Sequence, residues 1–496
     1  MSRSAGRRAP GAESVARGIV SLAASQVVFI LCGYIFYVYL ARKLGPADYG
    51  LFGFVFTVLV WLELLTCGAR DVLIRHLNAF PGSLPLVRRP FLLAQAYMSL
   101  GFTALAYLAA LPLAFTHTRY GSLFFIAFLD LPLMGVYQLY VGYLNAFRLY
   151  TRQAVAVAVY SVAKAAGIIL FVQLGYGVGG ALFGNIFSTI LAFLAAYVFF
   201  LPAGKRVYSA GDAGPPAPEA GARPALSTIV RSSFLFVLVP LFYNLLMSMD
   251  IWVVNLVVGG EAVGFYVAAS TAAKSVFFLF SAFYLTLFPV AVSSFRGEDT
   301  GKMQRIFTLS SYIFFCIAFP ASLLLSLNAG EVTMLVYGAA YQRTGNIIRV
   351  LALAHFLLAL NVYLLYLLFA SGRQRQAVRV IVLTITLGVA AIYLLTAWKG
   401  QTGAACGAAL TTLAGTALSY HDLRRGTGLS WPMKRICGNV LLSLLCFLPL
   451  AFLPKSEANF IPLSLLFSLI YYLALRHMGF LEDFTRVMRW GTRARR

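Results

Sequence analysis

The chain has 496 residues, 60% of them hydrophobic and 11% charged, and carries a formal charge of +23 from 39 Lys and Arg against 16 Asp and Glu. An average soluble domain is about a quarter charged, so this composition and a mean hydropathy of +0.83 exclude a soluble globular protein. The positive excess reads as membrane topology and attraction to anionic lipid rather than as a nucleic-acid surface.

A hydrocarbon core of about 30 Å takes about 20 apolar residues per crossing helix, and roughly 14 such segments succeed one another. They start near Gly18, Gly50, Phe91, Ser122, Gln153, Val178, Thr228, Ala262, Ile306, Asn346, Gln376, Gln401, Arg435 and Ile461. The first run, 19–41, is longer than the roughly 7–15 apolar residues of a secretory signal and reads as a permanent helix. With both termini cytoplasmic, roughly 30 of the 39 Lys and Arg fall on inner segments and roughly 7 on outer ones, which fixes the orientation. The C-terminal Arg486, Arg489, Arg493, Arg495 and Arg496 fit the same side.

The expected organisation is a basic tail (1–17), an N-lobe of six helices (18–202), a cytoplasmic linker (203–227), a C-lobe of six helices (228–418), two further helices (435–478) and a basic tail (479–496). The linker contains Gly211-Asp212-Ala213-Gly214-Pro215-Pro216-Ala217-Pro218, which cannot build a packed core. The two lobes echo one another. Leu44-Gly45-Pro46-Ala47-Asp48-Tyr49-Gly50 returns as Val258-Gly259-Gly260-Glu261-Ala262-Val263-Gly264, and Arg152-Gln153-Ala154-Val155 as Arg375-Gln376-Ala377-Val378. At the latter spacing Gly177, Gly180 and Gly184 fall on Gly400, Gly403 and Gly407, which reads as outer turns followed by close helix packing. Six helices per copy make parallel repeats, as duplicated transporters have. The fold class expected is therefore an all-α polytopic membrane protein of two six-helix lobes plus two C-terminal helices.

The stretch Ala41-Arg42-Lys43-Leu44-Gly45-Pro46-Ala47-Asp48-Tyr49-Gly50-Leu51-Phe52, with Gly68 and Arg75 downstream, resembles the opening of Wzx-type polysaccharide flippases of the MOP superfamily. So do Asn145-Ala146-Phe147-Arg148 and Asp250 ahead of Val263-Gly264-Phe265-Tyr266-Val267-Ala268-Ala269. The resemblance implies two lobes around an alternating-access cavity and a lipid-linked cargo. That cargo is an undecaprenyl-diphosphate-linked sugar carried from the cytoplasmic to the outer leaflet of the bacterial inner membrane. The two additional helices also resemble those of lipid II flippases of the same superfamily. Partners implied are membrane lipids, a polysaccharide polymerase and other assembly proteins.

An ionisable side chain at the bilayer centre costs about 2.5–3.5 kcal/mol on insertion scales, so each one calls for a reason. Lys164 and Lys274 both sit near the middle of a segment. Ser161 and Gly167 share the face of Lys164, and Ser270, Thr271 and Ser281 that of Lys274, as a wet wall would. The two lysines, with Arg70 and Arg75 at the inner end of the second helix, are the candidate diphosphate-binding residues; a buried structural ion pair is the plainer alternative for the lysines and snorkelling for the arginines. Glu63, Asp130 and Asp250 are candidates for ion coupling or gating, or for neutralising a lysine. The tyrosines Tyr34, Tyr37, Tyr39, Tyr137, Tyr140 and Tyr143 offer flat faces to a sugar, or pack.

The six cysteines and five histidines are dispersed without ligand spacing, so neither a metal nor a disulfide framework is expected. No P-loop or other nucleotide motif occurs, and neither a cofactor nor catalytic residues are expected. Two central lysines favour an anionic cargo over the cations of drug antiporters. A lipid II flippase, a cation antiporter of the multidrug (MATE) type, and a membrane enzyme or non-transporting scaffold of polysaccharide assembly stay open as alternatives.

Overall fold

The computed structural model describes residues 12–80, 83–116, 118–211, 224–296, 300–456 and 459–477. Among these the regular structure is helical and includes no strand, so the chain is an all-α, multi-pass membrane protein. The centre of the expected linker, most of the N-terminal tail, and the C-terminal arginines lie outside the described residues, as does the side chain of Ser281.

Among the described residues, eleven helices are long and apolar enough to cross a membrane. Three of them, Val20–Ala79, Tyr150–Pro202 and Gln374–Thr427, run to 60, 53 and 54 residues. At 1.5 Å per residue that is about 80–90 Å, more than twice the hydrocarbon thickness. Each therefore holds two of the expected apolar segments, and each breaks at a glycine.

The chain forms two compact units that meet in sequence at Leu245 and Leu246. The first holds α1 (Ala12–Thr66), α2 (Gly68–Ala79), α3 (Leu84–Thr116), α4 (Thr118–Phe128), α5 (Asp130–Ala146), α6 (Tyr150–Phe171), α7 (Gly177–Gly211) and nearly all of α8 (Leu226–Leu246). The second holds α9 (Met249–Val257), α10 (Glu261–Arg296), α11 (Thr300–Leu327), α12 (Ala329–Tyr337), α13 (Thr344–Ala370), α14 (Gln374–Thr427), α15 (Met433–Phe447) and α16 (Phe460–His477).

Within α1 the break falls on Gly45, at φ 75° and ψ 172°. Proline disfavours helical geometry in the residue before it, and Pro46 is preceded by the one residue that takes positive φ without a Cβ clash. Of the echoed glycines, Gly177 at φ 53°, ψ −135° and Gly400 at φ 58°, ψ −139° share one backbone conformation. Seven residues beyond each, the chain returns against the preceding helix at backbone contact. A Cβ on Gly184 would stand 2.6 Å from the carbonyl carbon of Gly167, and one on Gly407 would stand 2.7 Å from Cα of Ile392. Small residues are how membrane helices come this close, since lipid tails supply no hydrophobic drive between them.

The exits of α5 and α13 are also alike. Leu149 N–H donates to the Leu144 carbonyl at 2.8 Å, and Arg373 N–H to the Leu368 carbonyl at 3.0 Å. The left-handed residue of that turn is Gly372 (φ 76°) in the second unit but Arg148 (φ 58°) in the first. A side chain in that region is strained, so Arg148→Gly is expected to stabilise the protein by about 0.5–1 kcal/mol, seen as a small upward shift of the thermal midpoint.

In the first unit α2, α3, α5, α6 and α7 surround a common apolar core that includes Leu73, Phe91, Tyr143 and Phe200. In the second unit α10 and α13 pack on each other and α13 is buried along most of its length. The two last helices are fastened to α11 by polar contacts: Asn439 Nδ2 lies 2.9 Å from Cys316 Sγ, and the Tyr471 hydroxyl donates to the Cys316 carbonyl at 3.1 Å. Lys455, between α15 and α16, donates to the Leu327 carbonyl at the end of α11 at 2.7 Å.

Candidate functional site

Two buried polar clusters stand out, one in each unit, and helix breaks build both. The fourth apolar segment of the sequence is split into α4 and α5, because Pro132 lies in the first turn of α5 and lacks an N–H for the preceding turn. Asp130 thereby lies in the first turn of α5, at an irregular point of the span Arg119–Ala146. The seventh segment is split between α8 and α9, and Asp250 lies in the first turn of α9. Half-helices whose ends meet charged groups within the membrane mark ion and anion sites in secondary transporters.

In the first unit Glu63 of α1, Asp130 of α5 and Lys164 of α6 are brought together, 9%, 0% and 8% exposed. Each lies within the field of the other two. Among the described residues, however, no ion pair within 4.0 Å joins Lys164 to either carboxylate. The ammonium instead donates to the Tyr160 hydroxyl at 3.1 Å and stands over three rings: Phe56 at 4.5 Å, Tyr160 at 5.2 Å and Phe36 at 5.8 Å. Each ring within about 6 Å contributes of order 0.5–2 kcal/mol, which holds the charge in place while leaving donors available. Asp130 accepts a 2.7 Å bond from Asn185 Nδ2 on α7, and its carboxyl also lies within hydrogen-bond reach of the Glu63 carboxyl and the Thr189 hydroxyl. The end of α1 is satisfied locally, since Gln95 Nε2 donates to the Thr66 carbonyl at 2.8 Å.

Arg70 and Arg75 on α2 differ. Arg70 donates to both oxygens of Asp71, at 3.1 and 3.4 Å, and to Gln138 Oε1 at 2.8 Å. Arg75 is exposed and has no partner among the described residues. The tyrosines divide similarly: Tyr140 and Tyr143 are packed against Phe200, and Tyr137 stacks on Tyr160 at 5.6 Å, behind Lys164.

In the second unit Asp250 is 3% exposed and is held from two sides. The Tyr266 hydroxyl donates to Oδ2 and the Ile251 N–H to Oδ1, both at 2.9 Å. Lys274 of α10 is half-buried and lies within the field of Asp250, but makes no ion pair with it within 4.0 Å among the described residues. His355 of α13 lies in the field of Lys274, with Nδ1 bound to the Leu351 carbonyl at 2.9 Å.

The sequence reading reached Glu63, Asp130, Lys164, Asp250 and Lys274, met Tyr266 only as part of a family motif, and did not single out Tyr160, Asn185 or His355. Tyr160 was legible as the residue one helical turn before Lys164. Asn185 follows a glycine that was read for packing alone, and His355 was weighed only as a metal ligand.

A family model described as polysaccharide biosynthesis protein matches residues 15–295. The chain belongs to that family. The matched region contains the whole first unit beyond its tail, α9 and nearly all of α10, hence both lysines, whereas His355 lies outside it. No curated protein sequence matches the chain. Among solved structures it is similar to a lipid II flippase, MurJ, in an inward closed conformation, at 13% identity and TM-score 0.71 over 95% of this chain and 99% of that one. It is also similar to an inward-facing multidrug resistance MATE family transporter, at 15% identity and TM-score 0.65 over 83% and 98%. A MOP superfamily transporter from Pyrococcus furiosus described as having reversed binding-pocket polarity matches at 17% identity and TM-score 0.59 over 86% and 96%. At these identities the likeness establishes the fold alone, which is like that of the MurJ and MATE structures.

Proposed function

We propose that the protein is a flippase that carries an undecaprenyl-diphosphate-linked oligosaccharide from the cytoplasmic to the outer leaflet of the bacterial inner membrane, with both of its own termini cytoplasmic. One observation carries this reading: Lys164 is buried within a helix long and apolar enough to cross a membrane yet, among the described residues, is not bridged to a carboxylate, its ammonium resting on rings and a hydroxyl. A lysine kept only for structure would be expected to close onto Glu63 or Asp130. Membership in a polysaccharide-biosynthesis family and the MOP fold support the same class of cargo.

In this reading Lys164 and Lys274 each offset the desolvation of the diphosphate as it passes their unit. Arg75, exposed on α2, meets the incoming headgroup, and Arg70 is a positioning group fixed by Asp71 and Gln138. Glu63, Asp130 and Asp250 set the charge against which the lysines are released, which is the coupling or gating role. The lipid tail stays in the bilayer, and no catalytic group or nucleotide is required. An inside-negative potential favours outward movement of anions by about 2.3 kcal/mol per charge per 100 mV, so a diphosphate of about two charges gains roughly 4–5 kcal/mol.

Export of surface polysaccharide in a flippase-deficient strain, compared at equal protein level, tests the proposal. The wild-type chain is expected to restore it, and Lys164→Ala with Lys274→Ala is expected to fail and to accumulate cytoplasm-facing lipid-linked sugar. Normal export by that double variant would refute the charge role. In proteoliposomes, collapsing the potential is expected to slow flipping of the anionic lipid; a rate indifferent to the potential would remove the proposed driving force.

A further inference from the structure

Among the described residues of the second unit several polar groups lack partners, and three of them belong to the packed pair α10 and α13. Ser270 is fully buried, and among the described residues its hydroxyl makes no hydrogen bond, not even the usual one to the carbonyl four residues back. Lys274 lies one turn further along the same face of α10 and makes no hydrogen bond or ion pair among the described residues. His355 is 4% exposed and its Nε2 has no partner among the described residues. Its ring is oriented: because Nδ1 faces a carbonyl oxygen, that nitrogen holds the hydrogen, and Nε2 presents a lone pair when the ring is neutral and an N–H when it is charged. A buried polar group without a partner is rare enough to require an explanation, and Ser270 and His355 are two such groups, with the half-buried Lys274 one turn from the first and within the field of the second.

We infer that Ser270, Lys274 and His355 form a cradle for a phosphate oxygen, in which an anion is accompanied by a proton taken up at His355 Nε2. This rests on the flippase reading and deepens it by naming how the second unit grips the diphosphate. With the cradle empty, imidazole and ammonium share a single positive charge, because two cations within each other's field repel when no anion stands between them. An oxyanion between them lets both be charged, and all three groups then donate to it as charge-assisted bonds. The proton comes from water and leaves when the anion does.

The surrounding charges are compatible with that exchange. α13 packs on α10, α11, α12 and α14. From these helices Lys274 is the charge that reaches His355. Asp250 of α9 faces Lys274 but is occupied by Tyr266 and Ile251, with Cys406 of α14 beside Tyr266. Glu331 of α12 faces Lys455, and Tyr312 and Cys316 of α11 face each other and Asn439. No acid among these closes on Lys274 within 4.0 Å among the described residues, so its donors stay open to a ligand.

The test is binding to the full-length protein in lipid nanodiscs between pH 6 and pH 8, using undecaprenyl diphosphate, inorganic pyrophosphate and uncharged undecaprenol as probes. Wild type is expected to take up about one proton more per bound diphosphate than His355→Gln does, read from the dependence of binding heat on buffer. The ligand's own titration is common to both proteins and drops out of the difference. The glutamine amide keeps a donor near the Nε2 position, so His355→Gln should bind within about 3-fold of wild type at pH 6, while His355→Leu and Ser270→Ala should each weaken binding about 10-fold. Undecaprenol should not respond to any of these changes. Pyrophosphate weakened by Ser270→Ala to the same degree as the lipid would show that the cradle holds the diphosphate whether free or lipid-borne. Proton uptake equal in wild type and His355→Gln, or lipid diphosphate binding indifferent to His355→Leu and Ser270→Ala, would overturn the cradle and leave the flippase reading standing. A wild-type protein that binds no diphosphate at any pH would overturn both.

Discussion

Replacing Lys164 by methionine is expected to lower export of the lipid-linked sugar by about 30- to about 4,000-fold. Methionine fills nearly the same space between Phe36, Phe56 and Tyr160 but carries no charge. Removing one member of a buried charge group typically costs about 2–5 kcal/mol, and each 1.4 kcal/mol is a factor of ten. Part of that loss is structural, because Glu63 and Asp130 are left without a positive neighbour. The second variant, Lys164→Met with Glu63→Gln, removes a charge of each sign and separates the two contributions. Protein level in the membrane is expected to recover in this pair, while export stays low because nothing now offsets the diphosphate. Export that returns along with the protein level would mean that Lys164 serves only to neutralise Glu63. The measurement is surface polysaccharide per unit of membrane-inserted protein.

Fold class was readable from the sequence because membrane helices obey two rules that act over long windows, apolar length and backbone satisfaction. Those rules locate segments but are silent on interruptions shorter than a turn. Asp130 illustrates the limit. The sequence places it within a fourth helix beside Pro132; the structure keeps one span over Arg119–Ala146 but interrupts it by a turn at Leu129, so the carboxylate sits at that irregularity and meets Asn185. Asp250 was likewise placed toward one end of a continuous seventh helix and instead occupies the first turn of the short α9. The partners of the lysines were less legible still. Periodicity can bring Tyr160 to Lys164, since they are four residues apart, but nothing in either local sequence joins α10 to α13 and hence Lys274 to His355. That pairing depends on how helices pack around one another, which single-helix patterns do not encode.

The echoed glycines make the sharpest statement about the scaffold. Gly184→Leu is expected to remove nearly all folded protein from the membrane, to below about a tenth of the wild-type level, by fluorescence-detected size exclusion of a tagged chain. The reason is that the added Cβ would meet main chain, 2.6 Å from the carbonyl carbon of Gly167, and a backbone atom has no rotamer to yield. Overpacking against side chains costs about 1–3 kcal/mol because they rearrange, and this contact lacks that relief. Gly184→Ala should lower the level less, since it adds the Cβ without the branched carbons beyond it. Gly407→Leu should reproduce the defect in the second unit, where Cα of Ile392 takes the place of the Gly167 backbone. Gly101→Leu supplies the matched control: a Cβ there meets nothing within 4 Å, so the same added bulk on an exposed face of α3 should be tolerated. If Gly184→Leu accumulates as well as Gly101→Leu does, then α6 and α7 do not touch at that level. The reading of the repeated glycines as close-packing sites would fall with them.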